Sequence, residues 1–411
     1  RDLVRSRGLG DVYKRQVMRR FQAWDELPVL PEGRIGIYVG SHTHFSEKQN
    51  RAIDRFCATY DAVVICDHTS GYYGKYKLLP TLVQLQSDIT SPFPPLDLMV
   101  HIGEISAASF NDTIPAKEVW RVSEDGELRD PFKKLTTVFQ MSEEMFFLHY
   151  GKDGCNRHVL IDECRELFGE IYEQIPELPF CNIWTAMQLS SRLPKGALFH
   201  MGVSNTRRCW NMFQLPESVE SACNVGCCGI DGCVSTLVGA SLVNPDRLCY
   251  VVVGDLTFFY DLNSLGNHHI GTNLRVMLVN NGRGTEFRLG IHHCNVFGDD
   301  ADKYMAAAGH FGNKSPLLVK HYAEDLGFHY LSATTKEEFM TALSNFTNPQ
   351  LSDHSMILEV FTDSKDESEA LYLMSHIQSD AKGMVRSKLK DAVRNVAGEK
   401  GINAIKKILK K

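Results

Sequence analysis

No stretch of this 411-residue chain approaches the roughly 20 consecutive apolar residues that a membrane-spanning helix needs. Residues 1–16, RDLVRSRGLGDVYKRQ, also lack the apolar core and small-residue cleavage site of a secretory signal. Residues 1–16 are therefore expected to be neither a signal peptide nor a membrane span. Charge of one sign is never blocked: 44 Lys and Arg are interspersed with 50 Asp and Glu, for a formal net charge of −6. That balance lacks the basic footprint of a nucleic-acid binder. Twelve cysteines occur without a single CxxC pair. Cys57, Cys66 and Cys249 sit inside apolar runs, so buried free thiols in a reducing cytoplasm are expected rather than a disulfide framework. Cys223, Cys227, Cys228 and Cys233 crowd together, but their spacing matches no zinc pattern and packing is the expectation. No glycine-rich GxGxxG follows the first strand-like run, which argues against a dinucleotide site.

What is present organises into segments. Residues 1–16 read as an artefactual leader, since DVYKRQ looks like translated adapter read-through, and the native N-terminus is expected to lie elsewhere. From Gly33 onward, strand-like runs at 34–39, 62–66, 98–102 and 118–122 alternate with helical patterns, the first of which opens at Ser46 and carries Ile53, Phe56 and Cys57 on one face. This makes 17–150 a small doubly wound α/β domain. Residues 151–195 form a helical connector with Leu160, Leu167, Ile171 and Ile175 at helix-compatible spacing, and 196–366 form a second α/β domain opening on strand 197–201. Residues 367–411 read as a C-terminal helical extension, in which Ile402, Ile405, Ile408 and Leu409 make an apolar stripe beside lysines. The expected fold class is α/β, with two doubly wound parallel-sheet domains. His42 and His44 read as solvated loop residues. His268-His269 and His292-His293 read as surface or packing residues, with proton shuttling as the alternative.

The chemistry concentrates in 254–281. Residues 248–253, LCYVVV, form an uncharged β-branched run suited to a buried strand, and 274–279 form a second. Parallel strands joined by a helix bring their carboxyl ends side by side. Asp255 and Asn281 should then meet at the rim where open α/β sheets bind ligands. One anionic and one neutral oxygen suit Mg²⁺ or Ca²⁺, leaving positions for water and phosphate oxygens. Upstream, Gly202-Val203-Ser204-Asn205 is a polar turn opening into a helix whose free N–H groups can receive phosphate. Residues 224–236, NVGCCGIDGCVST, form a glycine-rich turn entering a helix, which serves either close backbone approach to a ligand or tight packing.

Gly254-Asp255, a helical interval and Asn280-Asn281 together resemble the signature of thiamine diphosphate enzymes. GIDG followed by VST, GDL followed by YDLN, and VNN followed by a glycine-containing segment and Phe287 narrow that resemblance. Over roughly 33–360 the chain is similar to the 2-succinyl-5-enolpyruvyl-6-hydroxy-3-cyclohexene-1-carboxylate synthase family of menaquinone biosynthesis. The resemblance implies that Asp255, Asn281 and the main-chain oxygen of Arg283 hold Mg²⁺ on the diphosphate. It implies diphosphate contacts from Ser204 and from the backbone of Leu256 and Thr257, and cofactor loops containing Gly229, Asp231 and Gly254. Ile230 would be the apolar wedge that bends thiamine diphosphate, Phe287 would line the substrate face, and Arg208 would meet a substrate carboxylate. The residues themselves leave plainer readings open: Ile230 as core, Ser204 as a helix cap, Phe287 as packing, and Arg208 as a surface ion pair. The implied activity is decarboxylation of a 2-oxo acid with transfer of the acyl carbanion to an acceptor. A simple 2-oxo acid decarboxylase and a non-catalytic diphosphate-binding subunit are the alternatives. Cytoplasmic location and a homo-oligomer, or a separate pyrimidine-domain subunit, are implied with it.

The chain also departs from the family. Val225 stands where the family has an arginine before the glycine-rich turn, and 104–110, EISAASF, stand where it has a Lys-Arg pair. Those cations match the carboxylates of isochorismate and 2-oxoglutarate, so a less anionic substrate is expected. Glu286 replaces an apolar residue near the reacting carbon. It would act as a general acid/base, face solvent, or pair with Arg283 or Arg288. The family further requires a glutamate from a pyrimidine-binding domain, and no spare α/β unit remains to supply it. By itself the chain is expected to be inactive, through truncation or for want of a partner.

Overall fold

The computed structural model describes residues 18–89, 93–104, 114–290, 292–300, 315–380 and Met384. The leader at 1–16 and the stripe at 402–409 lie outside the described residues. The chain divides into two compact units, 1–78 with 93–167, and 79–92 with 168–411. Each unit has its own sheet of parallel strands with helices, an α/β architecture with two doubly wound sheets.

In the first unit the strands are β1 (Arg19–Gln22), β2 (Ile35–Val39), β3 (Val63–Ile65), β4 (Lys77–Leu78), β5 (Leu96–Ile102), β6 (Ala116–Val122) and β7 (Leu135–Gln140), in the order β1-β7-β6-β5-β2-β3-β4. β2, β3 and β5 are apolar almost throughout because a parallel sheet is covered on both faces. Helix Glu47–Tyr60 begins on a capping box in which the Ser46 hydroxyl accepts from Gln49 N–H and the Gln49 side chain takes Ser46 N–H. It buries Ile53, Phe56 and Cys57 and stops at Asp61, in the left-handed region at φ 54°.

His42 is not the solvated loop residue expected. Its Nε2 lies 3.1 Å from Glu143 and its ring stacks on Phe45 at 4.1 Å. Burial pulls its pKa down, but Glu143 outweighs that and holds it above the ordinary value. His44 is exposed, as expected. Glu104, at the place where the resemblance calls for cations, is bound to Arg129 and, at 3.2 Å, to the buried Arg121.

The second unit contains β8 (Leu198–Met201), β9 (Glu220–Cys223), β10 (Cys249–Gly254), β11 (Leu274–Asn280), β12 (His329–Ala333) and β13 (Met356–Phe361), in the order β12-β13-β11-β10-β8-β9. β10 pairs with β11 so that Gly254 faces Val279, and with β8 so that Val252 faces Met201. Val251, Val253, Val276, Leu278 and Ile357 join Phe258 and Leu265 in one core. Each such side chain contributes roughly 1.5–3 kcal/mol on burial, which fixes the strand ends that carry the polar residues. From β8 the chain proceeds to one side, and from β10 to the other, so the switch point lies between them.

Residues 79–92 belong to this second unit through Gln86. Its Nε2 donates to the Met374 carbonyl at 2.8 Å, and its Oε1 accepts from the N–H groups of Ile377 and Gln378, each at 3.1 Å. The segment read as a connector contains helices Val159–Glu173 and Asn182–Leu189, the second capped by Cys181. Helix Ser364–Ser375 starts ahead of the boundary drawn at 366 and buries Glu367, Ala370, Leu371 and Met374.

No disulfide joins any of the twelve cysteines; Cys57, Cys66 and Cys249 are buried. In the crowded group Cys233 is buried as packing requires, whereas Cys227 and Cys228 are exposed. Among the described residues no three His, Cys, Asp or Glu side chains are gathered as a metal site, and no helix is long and apolar enough to cross a membrane.

Candidate active site

Three adjacent strands of the second unit deliver their carboxyl ends to one cavity. β8 leads to Ser204, β10 to Asp255 and β11 to Asn281, and β10 lies between the other two. The cavity, of ≈ 450 Å³, is lined by these three residues and by Ile230, Gly254, Leu256, Thr257, Arg283, Glu286 and Phe287. The site named from the sequence is thus brought together at a switch point, where α/β sheets bind ligands. Gly229, Asp231 and Arg208 stand just outside the lining. Gly229 and Asp231 flank Ile230, and a Cβ on Gly229 would lie 2.8 Å from the Asp231 carboxylate. Ile230 is half-buried and faces the cavity, so it is not sealed in the core.

Asp255 is 1% exposed, and its Oδ1 accepts from Leu256 N–H at 2.8 Å. Asn281 Oδ1 accepts from Arg283 N–H at 3.4 Å across Gly282, whose φ of 78° demands glycine. A second layer lies behind them. Asn280 Nδ2 and the Tyr330 hydroxyl both donate to the buried Glu359, each at 2.7 Å. Burial raises Glu359 above the usual carboxylate range, opposed by these two hydrogen bonds and reinforced by the charge of Asp255. Sequence reasoning missed Glu359, yet the signal was present: a lone carboxylate inside an otherwise apolar strand, MILEVF.

Ser204 takes the N-cap position of helix Asn205–Trp210 but makes no side-chain cap bond, so the capping reading does not hold. Its backbone sits at φ 60°, ψ −119°, a conformation that costs an L-residue about 1–3 kcal/mol and clusters at functional sites.

Arg208 and Glu286, 78 residues apart, form a bidentate pair, with Nη1 to Oε2 at 2.9 Å and Nη2 to Oε1 at 2.7 Å. Their side chains are 13% and 20% exposed. Glu286 therefore has an arginine partner, but Arg208 rather than the expected Arg283 or Arg288, and Arg208 is not a surface residue. Burial would lower the Arg208 pKa; the hydrogen bonds and charge of Glu286 raise it instead. Arg208 Nη1 also approaches Asn205 Oδ1 at 3.5 Å. Beyond Asn205 lies Glu367, buried at 1% exposure, with Oε1 accepting from Asn182 N–H and the Thr362 hydroxyl, both at 2.9 Å. Burial pushes Glu367 up to about 7, against the hydrogen bonds that favour its charged form.

Phe287 lines the cavity and also packs edge-on against His292 at 5.1 Å, so both readings of it hold. His292 accepts from Cys294 N–H, and His268 and His269 are exposed with rings 3.8 Å apart. The side chain of His293 lies outside the described residues. Val225 is buried and offers the cavity no cation. Two further lining residues were not anticipated: Asn182 and Thr285, both buried, whose Oδ1 and Oγ1 have no hydrogen-bond partner among the described residues. A buried polar atom left unpaired costs about 1–3 kcal/mol.

The donor set fits a hard cation carrying a diphosphate. Asp255, Asn281 and a neighbouring carbonyl all offer oxygen, the donor Mg²⁺ prefers. The start of helix Asp255–Asp261 is open space beside Gly254, which suits close approach of an anion.

No family model matches the chain. Curated relatives do, and several are named 2-succinyl-5-enolpyruvyl-6-hydroxy-3-cyclohexene-1-carboxylate synthase. That of Bacteroides fragilis is 33% identical over 263 residues, covering 62% of this chain and 45% of the relative. Those of Phocaeicola vulgatus and Bacteroides thetaiotaomicron are each 32% identical, over 265 and 259 residues, covering 62% of this chain and 44% of the relative. The chain spans less than half the length of these relatives.

Proposed function

We propose, on the premise that this chain is a relative of the 2-succinyl-5-enolpyruvyl-6-hydroxy-3-cyclohexene-1-carboxylate synthases, that it carries the metal-diphosphate part of a thiamine diphosphate enzyme. The reaction is decarboxylation of a 2-oxo acid with transfer of the acyl group to an acceptor. The single observation that carries this reading is the convergence of Ser204, Asp255 and Asn281 on one cavity from three neighbouring strand ends. Thiamine diphosphate, when bound, supplies the electron sink for carbon–carbon cleavage. The chain's own part is to hold and orient it.

Asp255, Asn281 and the Arg283 carbonyl hold Mg²⁺. Ser204 and the backbone of Leu256 and Thr257 take diphosphate oxygens. Ile230 would support the cofactor from its apolar side, and Phe287 would wall off water near the substrate. Glu286 has both oxygens bound to Arg208, which supports a role in charge pairing instead of proton transfer. Asp255 and Glu286 are the carboxylates among the described residues that line the cavity. The glutamate that activates the cofactor would then come from a pyrimidine-binding domain, in a cytoplasmic homo-oligomer or on a separate subunit. The buried Val225 and the closed Arg208–Glu286 pair favour a second reading, simple decarboxylation of a 2-oxo acid without an anionic acceptor.

Calorimetric titration with thiamine diphosphate and Mg²⁺ tests the proposal. Wild type should bind, and Asp255→Ala should lose about tenfold or more in affinity. Equal affinities would sink it.

A further inference from the structure

No residue of β13 lines the cavity, yet this strand carries Glu359, a carboxylate that is 1% exposed. Burying a charge is costly unless hydrogen bonds compensate it. Among the described residues the partners of Glu359 are neutral: Asn280 Nδ2 donates to Oε1 and the Tyr330 hydroxyl to Oε2, each at 2.7 Å. Strand register explains why these groups meet. Glu359 stands beside Leu278 of β11 and beside Ser332 of β12. Side chains alternate between faces along a strand, so Asn280, two residues after Leu278, and Tyr330, two before Ser332, share the face of Glu359.

The same alternation turns Asn280 and Asn281 to opposite sides. Asn280 is 4% exposed and takes no part in the lining, whereas Val279 and Asn281 both line the cavity. Asn281 is the first residue past the end of β11, so its direction depends on how firmly Asn280 is held. Asn280 Oδ1 has no partner among the described residues, which leaves the bond to Glu359 to hold that amide. Asp255 and Asn280 follow directly on the paired Gly254 and Val279, so the anchor stands close to both proposed oxygen donors. Outer partners of this kind orient metal ligands, and losing one costs roughly 10–100-fold in metal affinity.

We propose that Glu359 is a positioning residue of the cation site: from outside the cavity it holds the Asn280 amide on the far face of the sheet and so keeps the Asn281 oxygen turned inward. This rests on the metal-diphosphate function proposed above.

The test is calorimetric titration of the full chain with Mg²⁺ at saturating thiamine diphosphate, for wild type, Glu359→Gln and Glu359→Leu, with folding checked by circular dichroism. Glutamine can accept from Asn280 through its oxygen and donate to the Tyr330 hydroxyl, so it keeps the anchor without the charge. Leucine removes the anchor. Glu359→Gln should bind Mg²⁺ within about twofold of wild type, and Glu359→Leu should lose about tenfold or more. Should Glu359→Leu fail to fold, Asn280→Leu/Glu359→Leu takes its place, since it leaves neither half of that bond unpaired. Glu359 also acts on Asp255 through its charge. Equal losses in the glutamine and leucine variants would assign the effect to that charge and overturn the positioning role. Unchanged Mg²⁺ affinity in the folded leucine variant, the outcome of a purely structural contact, would overturn it as well. Absence of Mg²⁺-dependent binding in wild type overturns instead the function on which the proposal rests.

Discussion

Replacing Glu367 with glutamine should stabilise the protein at alkaline pH and remove a pH dependence that the wild type carries. Glu367 is buried in helix Ser364–Ser375, with Asn182 N–H and the Thr362 hydroxyl bound to one oxygen. Burial raises its pKa from an ordinary 4.5 to about 7. Between those values the folded protein keeps a proton that the unfolded chain has given up. The stability this contributes is therefore complete below pH 4.5 and is lost as pH rises through 7. The gap corresponds to about 3 kcal/mol. Glutamine keeps an oxygen for the two donors and carries no charge at any pH. Urea unfolding of wild type and Glu367→Gln at intervals from pH 4.5 to 8.5 measures the effect, with buried Trp184 and Trp210 as reporters in the same unit. His200, pulled down to about 4 chiefly by burial, titrates in both proteins and cancels in the difference. That difference should move by about 3 kcal/mol in favour of the variant across the range. A difference that stays constant with pH would refute the assignment of the proton to Glu367.

The strained backbone of Ser204 should respond to Ser204→Gly with a gain of about 1 kcal/mol in stability, because glycine enters φ > 0 freely. The same change should weaken thiamine diphosphate binding, so melting temperature and calorimetric affinity should move in opposite directions. In the first unit, burial and then the charges of Arg121 and Arg129 depress His101 to about 3. The unfolded chain takes up that proton at 6.5, so stability is present above pH 6.5 and falls as pH drops toward 3, by about 5 kcal/mol. His101→Phe, which keeps the edge contacts to Tyr38 and Phe132, should flatten the acid limb of the unfolding curve, as urea titration by circular dichroism will show.

The parts of the fold legible in the sequence were those where side chains alone dictate the element. β2, β5, β10, β11 and β13 carry near-continuous apolar runs because both sheet faces are covered. The missed strands were β1 (RRFQ), β4 (KL), β7 (LTTVFQ), β9 (ESAC) and β12 (HYLSA); all but the mostly buried β7 are short and mostly half-exposed, so pairing with a neighbour makes them strands and composition does not. The association of 79–92 with the second unit depends on Gln86 meeting Met374, 288 residues away, which no local pattern encodes.

At the site, Asp255 and Asn281 were legible because spacing and strand order converge on one rim. The partner of Glu286 was not. Proximity in the chain offered Arg283 and Arg288, whereas Arg208 arrives from the helix after β8. Asn182 and Thr285 were invisible for the same reason: an unsatisfied buried atom exists only once its neighbours are placed.

The central claim is that Asp255, Asn281 and the carbonyl of Arg283 together hold a divalent cation on a diphosphate. A crystal grown with thiamine diphosphate and Mn²⁺, with diffraction measured near the manganese edge, tests it most directly. The expected result is one anomalous peak within about 2.3 Å of the Asp255 and Asn281 side-chain oxygens and the Arg283 carbonyl, adjoining diphosphate density. Diphosphate density without that peak, or a peak ligated by other residues, would contradict it.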